Sequence, residues 1–176
     1  MRRKARSFAL ALGICLAGCA TTTKIDVIGS RSGLPPLCPP DELPVMLVLW
    51  TTQWRPEQKD AAERDEAAWQ GIQKYFVRSR CKAEIRNTDT IPADAKSFGR
   101  LVVLAVRELG PVVRIGTPNL VEGGTEVVVD VKAFNNPAGT QLADLRMHWQ
   151  NGGPFVIKGV ASLAQDMTET LRAVFE

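Results

Sequence analysis

Two apolar runs dominate the hydrophobic pattern of the chain, at residues 45–50 and 101–109. Each run is hydrophobic at nearly every position, and the second becomes polar only at its end. Such runs are typical of strands that are buried on both faces, so both segments are predicted to lie inside a sheet. Pro111 interrupts the apolar pattern, and residues 112–115 are predicted as a bent continuation or as a separate strand.

Residues 126–133 and 141–150 show a different pattern, in which apolar and polar side chains alternate. The apolar positions are Val127, Val129, Val131, Ala133, Ala143, Leu145, Met147 and Trp149. A period of two is typical of strands with one buried side and one solvent-facing side. Residues 135–139 contain two asparagines, a proline and a glycine, which favour a turn. The two segments therefore predict an antiparallel hairpin.

Helical spacing marks two further segments, at residues 56–79 and 163–175. Pro56 suits the first turn of the longer helix, where its missing N–H costs nothing. Ser162 and Gln165 are predicted to form a capping box at the start of the second helix. The inward-facing stripe of that second helix is Leu163, Met167, Leu171 and Val174.

A short strand at residues 82–87 and a short helix or turn at residues 92–98 complete the pattern. The predicted order is β-α-β-(α)-β-β-β-β-α. This order predicts an α+β fold, a two-layer sandwich with a mixed sheet of about five or six strands. The long N-terminal helix and the C-terminal helix are predicted to lie on one face of the sheet.

The start of the chain has the layout of a secretory signal peptide. Four basic side chains fall within residues 2–6, and an apolar run follows at residues 8–16. The run is too short to cross about 30 Å of hydrocarbon, so a transmembrane helix is not predicted here. No later stretch approaches the length of a membrane span either, which leaves a lipid as the only membrane anchor predicted.

The signal ends in the order Leu16-Ala17-Gly18-Cys19, which resembles the lipobox of bacterial lipoproteins. The resemblance implies removal of residues 1–18, lipidation of Cys19 and anchoring to a membrane of the cell envelope. Ala20 follows the cysteine, and by resemblance to lipoprotein sorting signals this favours the periplasmic face of the outer membrane.

The domain organisation follows from this processing. Residues 19–43 are predicted to be the lipidated cysteine and a proline-rich tether, because Pro35-Pro36 and Pro39-Pro40 oppose regular pairing. Residues 44–176 are predicted to form a single periplasmic domain, because a chain of this length is able to bury one hydrophobic core.

Charge excludes one class of partner. The full chain has 22 Lys and Arg against 19 Asp and Glu. Residues 1–18 hold four of the basic residues and no acidic one, which leaves 18 against 19 after processing. The basic character therefore belongs to the export signal, and no nucleic-acid partner is predicted.

Two of the four cysteines are accounted for by the signal, since Cys15 leaves with it and Cys19 takes the lipid. An even pair in an exported protein predicts a disulfide between Cys38 and Cys81. Both precede predicted strands, whose starts meet at one sheet edge if they run parallel. Two unpaired buried thiols are the alternative. With one histidine and no C-x-x-C motif, no metal is predicted.

The sequence contains few candidates for catalytic or cofactor-binding residues. Alternation places Asp144, Arg146 and His148 on one strand face, where an Asp–His pair is able to orient a base. No serine or cysteine lies in a G-x-S-x-G or comparable setting, and a solvated strand face explains the same residues. Gly123-Gly124 is predicted in a turn and Gly152-Gly153 at a strand end. Neither suits a phosphate cradle, so no cofactor is predicted.

Two functional hypotheses follow. The first is a non-enzymatic envelope lipoprotein that binds or helps assemble another envelope component, with an envelope protein as a possible partner. The architecture resembles, in fold and location, small outer-membrane lipoproteins such as the lipopolysaccharide-assembly lipoprotein. The second hypothesis is a periplasmic hydrolase or transferase that uses Asp144 and His148. The predicted partner-contact face consists of Asp130, Lys132, Asp144, Arg146 and His148.

Overall fold

A computed structural model describes residues 21–31, 37–38, 45–115, 121–136, 139–154 and 156–176. Its strands are β1 (Thr22–Arg31), β2 (Met46–Thr52), β3 (Ala83–Asn87), β4 (Arg100–Ile115), β5 (Val121–Asn135) and β6 (Thr140–Pro154). Its helices are α1 (Ala61–Arg78) and α2 (Leu163–Phe175), with short 3-10 turns at Ala93–Ser97 and Val160–Ser162. The strands form one sheet in the order β1-β6-β5-β4-β2-β3.

The sheet is mixed, which confirms the predicted α+β class. Strand β2 runs parallel to β3 and β4, whereas β4, β5, β6 and β1 pair antiparallel in succession. The predicted hairpin is formed by β5 and β6, both longer than the sequence pattern suggested.

One face of the sheet, called the covered face, contacts both helices. Its strand residues belong to the same buried cluster as Ile72 of α1 and Met167 and Leu171 of α2. The strand residues of that cluster are Met46, Val48, Trp50, Val102, Leu104, Val106, Leu109, Val127, Val129, Val131, Ala133, Ala143, Leu145, Met147 and Trp149. Their burial is the main apolar contribution to folding.

The opposite side, called the open face, is covered at only one end among the described residues. There Leu47 and Leu49 of β2 pack with Ala95, Phe98 and Leu101 in a smaller cluster. Strand β2 thus alternates between two apolar clusters, which explains why its sequence is apolar at every position.

The predicted disulfide between Cys38 and Cys81 is present, with Cα atoms 5.5 Å apart. The parallel pairing of β2 with β3 begins at Met46 and Ala83, close to both cysteines in sequence. This end of the sheet is called the disulfide end.

Strand β1 corrects the predicted tether. Residues 22–31 pair antiparallel with β6 along its outer edge, from Thr22 opposite Gly152 to Arg31 opposite Ala143. The tether prediction is therefore wrong for this segment. The side chains of residues 22–30 are exposed, and the strand forms through backbone pairing with β6. The predicted signal peptide and Cys19 lie outside the described residues, as do the prolines of the tether.

Two local expectations are also corrected, and of the two alternatives predicted for residues 112–115 the structure shows the continuation of one strand. Helix α1 begins at Ala61 because Asp60 adopts a left-handed conformation (φ 60°) that interrupts the helix predicted from Pro56. Strand β4 continues through Pro111, since β2 ends opposite Val106 and leaves this part of β4 at a sheet edge.

The predicted capping box at α2 is not formed. The Ser162 hydroxyl donates to the Gly159 carbonyl, and the Gln165 amide donates to Glu169. Ser162 has helical dihedral angles because the 3-10 turn Val160–Ser162 leads directly into α2. An N-cap residue normally has an extended backbone, so Ser162 is not placed to cap.

The turn predicted at Gly123-Gly124 is wrong, because both residues lie within β5, whereas Gly152-Gly153 lie next to the end of β6 at Pro154. Gly123 pairs with Gly153, and Gly124 with Gly152. A Cβ atom on Gly124 would lie 2.6 Å from the Asn151 carbonyl oxygen, so the two backbones approach too closely for a side chain. Among the described helices, neither is long and apolar enough to cross a membrane.

Candidate binding face

The antiparallel register brings polar side chains of four strands together on the open face. Asp130 of β5 lies opposite Arg146 of β6, and Lys132 lies opposite Asp144. His148 lies opposite Val128 in the same row. Paired residues in antiparallel strands project to the same side, so all five residues of the predicted contact face share one surface.

Asp130 is the centre of an ion cluster on this face. Arg146 donates from Nε to Oδ1 at 2.5 Å and from Nη2 to Oδ2 at 2.9 Å. Arg107 of β4 donates from Nε to Oδ2 at 2.8 Å. The hydrogen bonds from Arg146 and then Arg107 lower the pKa of Asp130, and Asp130 raises the pKa of Arg146. The carboxylate is therefore fixed and ionised at neutral pH.

Lys132 and Asp144 form a looser pair. Their Nζ and Oδ2 atoms are 3.9 Å apart, and about half of each side chain is exposed. A pair of this kind contributes little to stability and leaves both charges accessible.

These two pairs line a groove of about 520 Å³ on the open face. The groove is lined by residues of β1, β6, β5 and β4, and Val103 and Ala105 of β4 contribute small apolar side chains. Its lining consists of Ile28, Gly29, Gln53, Val103, Ala105, Arg107, Asp130, Lys132, Asp144, Leu145 and Arg146.

His148 belongs to a separate cluster. Its Nε2 contacts the Glu126 carboxylate and lies 2.8 Å from Gln150 Nε2. Gln150 also donates to Glu126 at 3.2 Å and accepts from Arg114 Nη1 at 2.8 Å. Histidine held between a carboxylate and an amide has a fixed ring orientation.

The predicted pairing of Asp144 with His148 is not formed. Asp144 contacts Lys132, whereas His148 contacts Glu126. Four residues along a strand separate the two by about 13 Å, so alternation places them on one face without bringing them into contact. The sequence-based suggestion that Asp144 orients His148 is therefore wrong.

A second, smaller depression lies on the open face where Gly124 and Gly152 carry no side chains. Its volume is about 110 Å³. Lys24, Arg114 and Gln150 are among the residues that line it. Sequence reasoning missed this feature because Gly124 was assigned to a turn and Gly152 to a strand end, and the pairing of the two was not predicted.

Sequence reasoning also missed Arg107 and the contribution of β1. Arg107 lies at a register shift between Val106 and Glu108, where the strand departs from strict alternation. Within the described ranges, no group of three or more His, Cys, Asp or Glu side chains is arranged to hold a metal ion.

No protein-family model matches the chain, and no curated protein matches it either. Its fold is similar to a PelC dodecamer subunit from Paraburkholderia phytofirmans, with 12% identity, a TM-score of 0.45, and coverage of 88% of this chain and 98% of that one. A putative neuraminyllactose-binding hemagglutinin homolog from Helicobacter pylori is 9% identical, with a TM-score of 0.40 and coverage of 78% and 81%.

A minor lipoprotein from Acinetobacter baumannii is 12% identical, with a TM-score of 0.34 and coverage of 71% of this chain and 92% of that one. Similarity at this level assigns neither a family nor a function.

Proposed function

We propose that the protein is a lipid-anchored lipoprotein of the bacterial cell envelope that binds another envelope protein without catalysing a reaction. Residues 1–18 are removed, Cys19 carries the lipid, and the domain lies at the periplasmic face of the outer membrane. In the two-layer arrangement the helices bury one face of the sheet, and the other face is the contact surface.

The observation that carries the binding proposal is the groove on the open face. Asp130 is held by Arg107 and Arg146, so the centre of the groove is rigid before any partner arrives. Lys132 and Asp144 lie beside it in a looser, half-exposed pair. A fixed centre limits the entropy lost on binding, and accessible charges of both signs select a partner with complementary charges.

The alternative of a hydrolase or transferase has one supporting contact, between His148 and Glu126. The described partners of His148 are this carboxylate and Gln150, and neither is a hydroxyl or thiol that a histidine base would activate as a nucleophile. The expected Asp144 partner is engaged by Lys132. Contact through the groove therefore accounts for more of the geometry than catalysis does.

The lipid anchor is tested by growing cells with a labelled fatty acid. The wild-type protein should incorporate the label, and the variant Cys19→Ser should not, because the thiol is the acceptor. The same variant should accumulate at the size of the unprocessed chain. Label that persists in Cys19→Ser at the processed size would contradict the proposal.

The contact surface is tested by exchanging the charges of the looser pair, as Lys132→Asp with Asp144→Lys. The ion pair survives in reverse, so thermal unfolding should be nearly unchanged. Partner recovered by cross-linking and purification from the envelope should fall severalfold, because the charge pattern in the groove is inverted.

The matched control exchanges the exposed pair Glu169 and Arg172 on α2, as Glu169→Arg with Arg172→Glu. This control should retain the partner. Equal recovery for both exchanges, or loss only with the control, would contradict the use of the open face.

A further inference from the structure

A group of apolar side chains is exposed at the end of the sheet opposite the disulfide end. Strands β4 and β5 extend beyond β2, which stops opposite Val106. In this extension the exposed fractions are 71% for Val113, 79% for Ile115 and 48% for Val121. Ile157, which follows β6, is 97% exposed. These four residues are called the tip patch.

The four side chains form one surface rather than scattered positions. Ile115 pairs with Val121, and Val113 pairs with Gly123, so all three apolar residues project to the side of the sheet that carries the helices. A Cβ atom on Gly123 would lie 3.9 Å from the Cα atom of Ile157. Ile157 therefore extends the apolar surface formed by Val113, Ile115 and Val121.

Strand β1 begins at this same end. Thr22 pairs with Gly152, Gly152 with Gly124, and Gly124 with Val112. Three strand spacings of about 4.8 Å place Thr22 about 14 Å across the sheet from β4. Ile115 lies three residues beyond Val112, so it projects about 10 Å farther than Thr22.

The predicted lipid site is only three residues before Thr22 in the sequence. Three extended residues span at most about 10 Å. A lipid on Cys19 therefore reaches the level of Ile115 but little beyond it. A lipid anchor of this reach would keep the tip patch close to the membrane surface, so a lipid surface is the occupant that the distance favours.

We propose that the tip patch inserts among the headgroups and upper acyl chains of the leaflet that holds the lipid of Cys19. This inference rests on the lipid anchor of the proposed function. Apolar side chains gain from leaving water at this boundary. The lipid anchor and the tip patch together orient the domain. The strands then point away from the membrane, and the open face lies at the side of the domain, exposed to the periplasm.

Val77 provides a matched control. It is 84% exposed, and it lies one residue before the end of α1, which leads to Cys81 at the disulfide end. The proposed orientation places Val77 far from the lipid, although its exposure and chemistry resemble those of Val113.

The experiment uses the processed, lipidated protein in vesicles of phosphatidylethanolamine and phosphatidylglycerol. Ile115→Cys and Val77→Cys are each labelled with an environment-sensitive fluorophore on the new thiol. Quenching by a spin-labelled phospholipid should be at least about threefold stronger at position 115 than at position 77. Quenching by aqueous iodide should show the opposite order. Ile157→Cys is the second probe if Ile115→Cys does not fold.

Mass spectrometry of the N-terminal peptide separates the two proposals. An acylated Cys19 with equal lipid quenching at both positions would overturn the tip contact alone. A fluorophore at position 115 that is shielded from iodide but not quenched by lipid would indicate a protein neighbour, a second copy included, and would also overturn it. An unacylated Cys19 would overturn the lipoprotein proposal itself.

Discussion

The two faces of the sheet differ although the same strands form both. In β4, Leu104 is fully buried on the covered face, whereas the adjacent Val103 faces the groove and is half-buried. In β5, Val129 is buried while Asp130 carries an ion cluster. Apolar burial on one face provides the stability of the fold. The other face is therefore free to carry charged groups in a fixed arrangement.

The largest expected effect concerns the disulfide, whose cysteines pack against the covered-face cluster. Replacing both Cys38 and Cys81 by Ser releases a loop with a sequence separation of 43 residues. The free energy of unfolding should fall by about 4 kcal/mol in the loop-entropy model. Denaturant unfolding measures this, and the wild-type protein under reducing conditions should match the variant. Unchanged stability in both would contradict the assignment.

The next largest effect is a difference in the free energy of unfolding between variants at two neighbouring residues of β4. Leu104→Ala removes a fully buried side chain from the covered face and should lower the free energy of unfolding by about 3 kcal/mol. Val103→Ala, on the open face, should lower it by less than about 1 kcal/mol. Denaturant titrations of the two variants give the difference directly. Similar losses at the two positions would mean that the smaller cluster beside Val103 contributes as much core packing as the covered face does at Leu104.

A smaller loss of stability is expected when Asp130 is substituted. Asp130→Asn removes the carboxylate that Arg107 and Arg146 share, and should cost about 1 kcal/mol at neutral pH. The pKa of Asp130 is lowered in the folded protein, so its stabilisation is present above the ordinary carboxyl pKa of about 4 and is lost as pH falls through the folded value.

The gap in unfolding free energy between the wild-type protein and Asp130→Asn should therefore narrow below about pH 4. Thermal melts of the wild-type protein and of Asp130→Asn at a series of pH values measure this gap. A gap that stayed constant down to the most acidic pH would show that the ion cluster does not lower the pKa of Asp130.

Much of the fold was predictable because it depends on local apolar patterns. Alternation identified β5 and β6, the continuous run identified β2, and the stripe including Met167 and Leu171 identified the buried side of α2. Strand β1 was missed because it joins the sheet through its backbone while its side chains remain exposed. Its alternation of polar and apolar residues is limited to residues 24–27, which is too short to identify a strand.

The candidate site was predictable only in part, for a related reason. Alternation assigns Asp130, Lys132, Asp144, Arg146 and His148 to one face, as the structure places them. It does not give the register between strands, and register decides which charges meet. Glu126 as the partner of His148 and Arg107 as the second partner of Asp130 depend on that register and on the irregularity in β4.

The most direct test of the central claim, contact through the open face, is site-specific photo-cross-linking in cells. A photoreactive amino acid at Ile28, which lines the groove, is compared with one at Val77 on α1. Both side chains are well exposed, so both reach whatever lies beside them. Contact through the open face predicts a discrete cross-linked envelope protein at position 28 and none at position 77. A product at position 77 alone would contradict it.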